Sequence, residues 1–411
     1  MSTINNISES NLRAYIKGAP GQVLDICSHY EDDGEIKELD EKKKIEIKGQ
    51  NQNYAESALR VLAVAYKEVK ENDSTEEMDK VESDLVFLGL MGMIDPPRRV
   101  VAKSVATCQK AGIKPVMITG DYSVTARAIA AELGIYQDGD RVVTGKELTD
   151  MPEEKLKEIV MEVSVFARVS PKHKSKIVNA LQNNGQIVSM TGDGVNDAPA
   201  LKQSNIGVAM GITGTDVSKE AADMVLTDDN FSSIVSAVEE GRSIYKNIKK
   251  FIRFLLSCNV GEIISIFVAI ISGLPTPLLP IQILWVNLVT DGFPALALGV
   301  DIPAGDLMKE HPRDPEEGVF AGKMGFNILS QGFYIGFITL LSFYIGLTYY
   351  SVEIARTMAF GTLSFSQLWQ ALNSRSARHS LFKIGILKNK YLLLAIAFSG
   401  LLQLSVMLFS P

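Results

Sequence analysis

The chain has 411 residues, a formal net charge of −7 and a 46% hydrophobic fraction, a length that suggests two to three domains. Cys27, Cys108 and Cys258 form no Cys-x-x-Cys pair and the four histidines are as scattered, which argues against soft-metal chemistry and a disulfide scaffold and places the soluble part in reducing surroundings. The acidic balance argues against nucleic acid as a partner. Charge crowds the first 250 residues and thins afterwards, so a soluble part is joined to a membrane part. Residues 1–11 are polar and carry no apolar core segment of a secretory signal.

Residues 1–86 read as a partial α+β domain. A short strand over 14–20 enters the Lys17-Gly18-Ala19-Pro20 turn, a helix starts over 23–27, and 32–48 is charged and solvated. Residues 54–66 carry apolar residues around Arg60. Taken singly, Lys17 and Arg60 read as surface charges, as most Lys and Arg are.

Residues 87–240 alternate strands and helices, the pattern of an α/β doubly wound parallel sheet. A strand over 85–93 ends at Ile94-Asp95-Pro96-Pro97-Arg98, and the prolines force an extended link into a helix over 100–111. The next strand, 114–118, ends in Thr119-Gly120-Asp121, and a helix over 126–133 stops at Gly134. A strand over 165–167 leads into Arg168-Val169-Ser170-Pro171-Lys172-His173-Lys174 at a helix start. An apolar strand from Ile187 then enters Thr191-Gly192-Asp193-Gly194-Val195-Asn196-Asp197, with further strands over 206–210 and 224–226. Ending a buried strand in Gly-Asp-Gly puts Asp193 at the carboxyl edge of the sheet, where open α/β folds keep their chemistry. The flanking glycines let backbone approach a ligand closely. Asp193 and Asp197 together suit a hard divalent ion such as Mg2+.

Residues 241–411 read as a stalk and an all-α transmembrane bundle, with spans near 247–272, 279–299, 326–350, 354–373 and 391–409. A basic helix over 233–254, carrying Lys246, Lys249, Lys250 and Arg253, runs without a break signal into the apolar 255–271. These charges, with Arg375, Arg378, Lys383, Lys388 and Lys390 in a later connection, place the stalk and that connection in the cytoplasm. Inside the spans, Asn259 and Glu262 share a helix face by their spacing, as do Asn287, Thr290 and Asp291. Each acid at a bilayer centre costs roughly 3 kcal/mol on insertion scales, so a pair of them points to a cation path. Gly292-Phe293-Pro294 interrupts the second helix beside Asp291, where unwound backbone could line an ion site. All these groups are oxygen donors, which favours Ca2+ or another hard cation over copper or zinc.

The run from Thr191 to Leu201 resembles the hinge segment of the P-type ATPases, ion pumps whose phosphorylation domain has a haloacid-dehalogenase-like fold. The resemblance implies that Asp193 binds Mg2+, that Asn196 and Asp197 order the phosphorylation site, that Thr119 holds phosphoryl oxygens and that Lys174 offsets their charge. It implies that ATP is met by Lys17, Arg60, Thr119, Gly120, Asp121, Arg168 and Lys174. Asn259-Val260-Gly261-Glu262 and Asn287 to Asp291 resemble the calcium pumps of the sarco/endoplasmic-reticulum type. That likeness implies Asn259, Glu262, Asn287, Thr290 and Asp291 as Ca2+ ligands, joined by Gln367 where the family has a glutamate. Sodium and proton pumps differ at these positions.

The resemblance covers nearly all of this chain, and the chain covers under half of such a pump. The family's phosphorylated aspartate lies in Asp-Lys-Thr-Gly-Thr, and no such run occurs here; its Thr-Gly-Glu-Ser domain is absent too. The expectation is therefore the C-terminal part of a Ca2+- or Mn2+-transporting ATPase, an integral membrane protein (of the plasma membrane if bacterial) with cytoplasmic soluble domains, inactive alone. Two other readings stand beside it. One is a membrane subunit of a split pump, whose second chain supplies the missing half. The other is a membrane-anchored phosphatase of the dehalogenase superfamily, with Asp95 as its nearest nucleophile.

Overall fold

The computed structural model describes residues 1–8, 11–56, 59–69, 81–93, 98–302, 306–376 and 381–409. They divide into two compact units, one of Met1–Gln109 with Ile113–Ser233 and one of Lys110–Gly112 with Ile234–Pro411.

The first unit carries twelve strands among its described residues. They are β1 (Ser2–Ser8), β2 (Asn11–Gly18), β3 (Cys27–Asp32), β4 (Glu35–Glu38), β5 (Arg60–Val69), β6 (Leu85–Met93), β7 (Met117–Ile118), β8 (Arg141–Thr144), β9 (Val163–Ala167), β10 (Ser189–Gly192), β11 (Ile206–Met210) and β12 (Met224–Leu226). The first six make one mixed sheet in the order β1-β2-β5-β6-β3-β4, antiparallel except for the β3–β6 pair. Its core is Ala14, Ile16, Ala63, Ala65, Leu85 and Phe87, with Val23 and Leu24 of the Pro20–Asp25 helix packed on it. β6, grouped on sequence with the strands that follow it, pairs instead with β5 and β3.

The remaining strands are parallel, as the α/β pattern required. They fall into two three-stranded sheets, β7-β9-β8 and β10-β11-β12. β9 is central in the first and is buried at all five positions, which is why its sequence, Val-Ser-Val-Phe-Ala, shows no inside–outside alternation. Ile118 of β7 packs into both cores, against Phe166 and Ile177 on one side and Val178 and Met190 on the other. The Pro171–Gln182 helix supplies residues to both, so its apolar face ties the two sheets together.

Phe231–Ile271, in the second unit from Ile234 on, is one helix of 41 residues, about 60 Å long at 1.5 Å per residue. It is unbroken through Phe251. Among the described residues, four helices are long and apolar enough to cross a membrane: Phe231–Ile271, Pro280–Gly299, Met324–Tyr349 and Lys390–Leu408. The fifth expected span, 354–373, forms the Val352–Asn373 helix. Thr357, Ser364, Ser366, Gln367 and Gln370 leave it more polar than the other four.

Close backbone approach sets part of this packing. A Cβ on Gly332 would lie 2.5 Å from Val260 Cγ1 and 2.9 Å from the Ser257 carbonyl, and one on Gly336 would lie 3.0 Å from the Gly261 carbonyl. Gly332-x-x-x-Gly336 is thus a small-residue seam that lets the Met324–Tyr349 helix lie directly on the Phe231–Ile271 helix.

Candidate functional site

The Gly-Asp-Gly turn is built by its own second carboxylate. Asp197 folds back over Gly192, where a Cβ would sit 2.5 Å from the Asp197 Cβ. Asp197 Oδ2 accepts the backbone N–H of Asp193 and of Gly194, each at 3.2 Å, and Oδ1 is ion-paired to Lys174 Nζ. With Asp197 buried and both of its oxygens engaged, Asp193 is the carboxylate the turn leaves exposed. Its carbonyl is fixed in turn by Thr215 N at 2.9 Å and Ser218 Oγ at 3.1 Å. Asn196 is exposed beside it. The two acids that looked alike in the sequence therefore differ in place: one is a clamp, the other is open to a ligand.

Lys174 reaches the clamp from the first turn of Pro171–Gln182, whose start is capped by Ser170 N donating to His173 Nδ1 at 3.1 Å. Burial, and then the charge of Lys176, holds the His173 imidazole below its usual range. A second strand-end turn joins Thr119, Asp121 and Arg168. Thr119 Oγ1 donates to Asp121 Oδ2 at 2.9 Å and accepts Asp121 N at 3.1 Å, while Arg168 N donates to the Asp121 carbonyl at 3.1 Å. Gly120, Asp121 and Arg168 are exposed. No hydrogen bond joins this turn to the Asp193 turn among the described residues. Lys17 is exposed in β2, and Arg60 opens β5 opposite Met93.

In the second unit, Glu262 and Asp291 are buried, at 5% and 0% exposure. Glu262 Oε1 accepts Gln367 Nε2 at 2.9 Å, and Oε2 accepts Asn287 Nδ2 at 3.4 Å. Asp291 stands electrostatically beside Glu262, with the buried Cys258 thiol next to it. Both Asp291 carboxylate oxygens, Thr290 Oγ1 and Gln367 Oε1 are buried without a hydrogen-bond partner. The backbone explains why Thr290 and Asp291 are both buried. Val286–Thr290 is π-helical, with Asp291 N bonded to the Val286 carbonyl at 2.9 Å, and a regular helix resumes at Gly292. That extra residue per turn rotates Thr290 and Asp291 inward. Asn259, expected on the Glu262 face, is exposed. Among the described residues no three His, Cys, Asp or Glu side chains gather as a metal cluster, so any cation here meets two acids together with neutral oxygens.

Sequence reasoning missed the charged knot around Asp301. Its buried carboxylate accepts Lys250 Nζ at 2.8 Å, Asn389 Nδ2 at 2.9 Å and Arg375 Nε at 3.3 Å, while Asn247 Nδ2 donates to its carbonyl at 2.8 Å. From sequence, Lys250 and Arg375 read only as orientation charges; a lone acid following an apolar helix is the available signal. Arg378 and Asp95 lie outside the described residues.

Residues 275–411 match the family profile of the cation transporting ATPase C-terminus, 1–100 that of the P-type ATPase cytoplasmic domain N, and 171–238 that of the haloacid dehalogenase-like hydrolases. The chain is 50% identical over 428 aligned positions to calcium-transporting ATPase 1 of Bacillus cereus, an alignment covering 100% of this chain and 48% of that protein. It is 49% identical to the calcium-transporting ATPase of Bacillus subtilis, over 98% of this chain and 46% of that protein. It is 40% identical to an endoplasmic reticulum calcium ATPase of Aspergillus fumigatus, over 96% of this chain and 45% of that protein. The chain thus spans about half the length of the curated relatives it matches. With its dehalogenase-like α/β domain, its apolar helices and these relatives, the chain belongs to the P-type ATPases and is an integral membrane protein.

Proposed function

We propose that this chain supplies the membrane cation site and the surroundings of the phosphoryl site of an ATP-driven Ca2+ pump. The observation that carries the reading is the Asp291 carboxylate, buried near Glu262 with no nitrogen or oxygen donor on either oxygen and only the weak S–H donor of Cys258 within reach. An unpaired buried carboxylate is costly, and a hard cation would relieve that cost. Glu262, Asp291, Thr290 and the Gln367 carbonyl oxygen offer hard donors of the kind Ca2+ takes, with Mn2+ as the alternative cargo. Gln367 in place of an acid lowers the charge of the set.

In the first unit, the exposed Asp193 suits Mg2+, a hard ion that needs only one or two protein carboxylates. When bound, the ion would offset phosphate charge. Asp197 holds the turn that presents Asp193, Lys174 adds a fixed positive charge, and Thr119 offers phosphoryl oxygens a hydroxyl that must first release Asp121 Oδ2. Arg168, Gly120 and Asp121 face the nucleotide in this reading, and Lys17 and Arg60 are counted as nucleotide contacts on the family resemblance alone. No carboxylate in an Asp-Lys-Thr-Gly-Thr setting occurs among the 411 residues, and phosphoryl transfer requires an acceptor. The purified chain is therefore expected to bind Mg-ATP without turning it over. Sustained turnover that Asp193→Ala abolishes would contradict this and favour a self-sufficient phosphatase or ATPase.

The cation site is tested by intrinsic fluorescence. Trp285 lies one residue before the π-helical segment, and its Nε1 donates to Gln403 Oε1 at 2.9 Å. Ca2+ added to the detergent-purified chain should change Trp285 emission saturably, and a Trp285→Phe control separates it from Trp369. A flat response through millimolar Ca2+ would overturn the proposal.

A further inference from the structure

Building on the nucleotide reading of Arg168, we propose that Tyr122 is a positioning residue that holds the Arg168 guanidinium ready for the phosphates of a bound nucleotide. Arg168 has φ of +55°, in the left-handed region that long side chains rarely adopt. Such a conformation persists only where its surroundings enforce it, and it concentrates at functional sites. Here the backbone is pinned on three sides. Arg168 N donates to the Asp121 carbonyl at 3.1 Å, and Val169 N donates to the Thr119 carbonyl at 3.2 Å. The Arg168 carbonyl lies so close to Gly145 that a Cβ there would be 1.9 Å from the oxygen.

The left-handed backbone throws the side chain outward, where its guanidinium carbon lies 3.7 Å from the centroid of the Tyr122 ring. That is well inside the range of a cation–π contact. Tyr122 immediately precedes the Ser123–Glu132 helix, is 58% exposed, and makes no capping hydrogen bond with its side chain. Among the described residues no carboxylate is ion-paired with Arg168. A planar guanidinium stacked on a ring keeps its N–H fork free for a bidentate anion. The ring therefore does what a carboxylate partner would do, fixing the orientation, without occupying the donors that a phosphate needs. Through Val169 N on the Thr119 carbonyl, the same turn sets the guanidinium at the ends of β7 and β9.

The test is isothermal titration of ATP into the full chain in detergent, as a double-mutant cycle. Tyr122→Ala should weaken ATP binding two- to fivefold, the size of an exposed cation–π contact, while Tyr122→Phe should restore it. In an Arg168→Ala background, Tyr122→Ala should add no further loss. A full additive loss in that background, or a Phe variant as weak as the Ala variant, would overturn the positioning role. Normal ATP affinity for Tyr122→Ala alongside weak affinity for Arg168→Ala defeats this inference alone. A wild-type chain that binds no ATP, or an Arg168→Ala chain that binds it normally, defeats the nucleotide reading as well.

Discussion

Replacing Gly332 by alanine tests the close packing of the Met324–Tyr349 helix on the Phe231–Ile271 helix, which carries Glu262. The added Cβ would lie 2.5 Å from Val260 Cγ1, 2.7 Å from Val260 Cβ and 2.9 Å from the Ser257 carbonyl oxygen. Ordinary contact between such atoms is about 3.5–4.0 Å, so the two helices must part by roughly 1 Å. The Ser257 carbonyl is helix backbone and cannot swing aside, which puts the overpacking cost in the upper part of the roughly 1–3 kcal/mol range. Alanine recovers about 1 kcal/mol of helix propensity, leaving a net loss of about 1–2 kcal/mol. For a unit of this size that is roughly 2–8 °C in Tm. Gly325, near the start of the same helix, has nothing within 4 Å of its ideal Cβ and serves as the control. Thermal unfolding of the detergent-solubilised chain, followed by tryptophan emission, should show a lower Tm for Gly332→Ala and no drop for Gly325→Ala. Equal or raised stability for Gly332→Ala would refute the close-packed seam.

Asp229 gives the pH prediction. Its carboxylate is held down to about 2, first by the backbone N–H of Ile212 and also by those of Thr213 and Gly211. A free aspartate titrates near about 3.9. A carboxylate depressed in the folded state stabilises the fold above the unfolded value and loses that contribution as pH falls toward the folded one. Protection of the amides of residues 211–213 relative to their intrinsic exchange rates should therefore fall between about pH 4 and pH 2, and Asp229→Asn should remove that step. Identical acid profiles for the two proteins would contradict it.

What could be read from the sequence differed between the sites for a physical reason. The Gly192-Asp193-Gly194 turn was legible because an apolar strand, two glycines and two acids all lie within one short stretch. That Asp197 is a clamp and Asp193 open depends on Lys174, contributed by a different helix, and no local pattern encodes it. β1, with its sequence Ser-Thr-Ile-Asn-Asn-Ile-Ser, and the fully exposed β4 have too little apolar alternation to be read as strands. β6 was legible as a strand but not in its pairing, because an apolar run does not specify its neighbours. In the membrane part, the inward-facing acids followed from insertion cost. The π-helical segment that aims Asp291 did not, since its i to i−5 bond leaves no mark in spacing. The exposed side of Asn259 departs from the simple helical face that includes Glu262.

Equilibrium binding of radiocalcium to the purified chain, compared with Glu262→Gln and Asp291→Asn, tests the shared carboxylate site most directly. Wild type should bind saturably, and each variant should lose at least about tenfold in affinity, because each removes a charged oxygen donor from a set with only two acids. Undiminished Ca2+ binding by Asp291→Asn would contradict the assignment of this buried pair as the cation site.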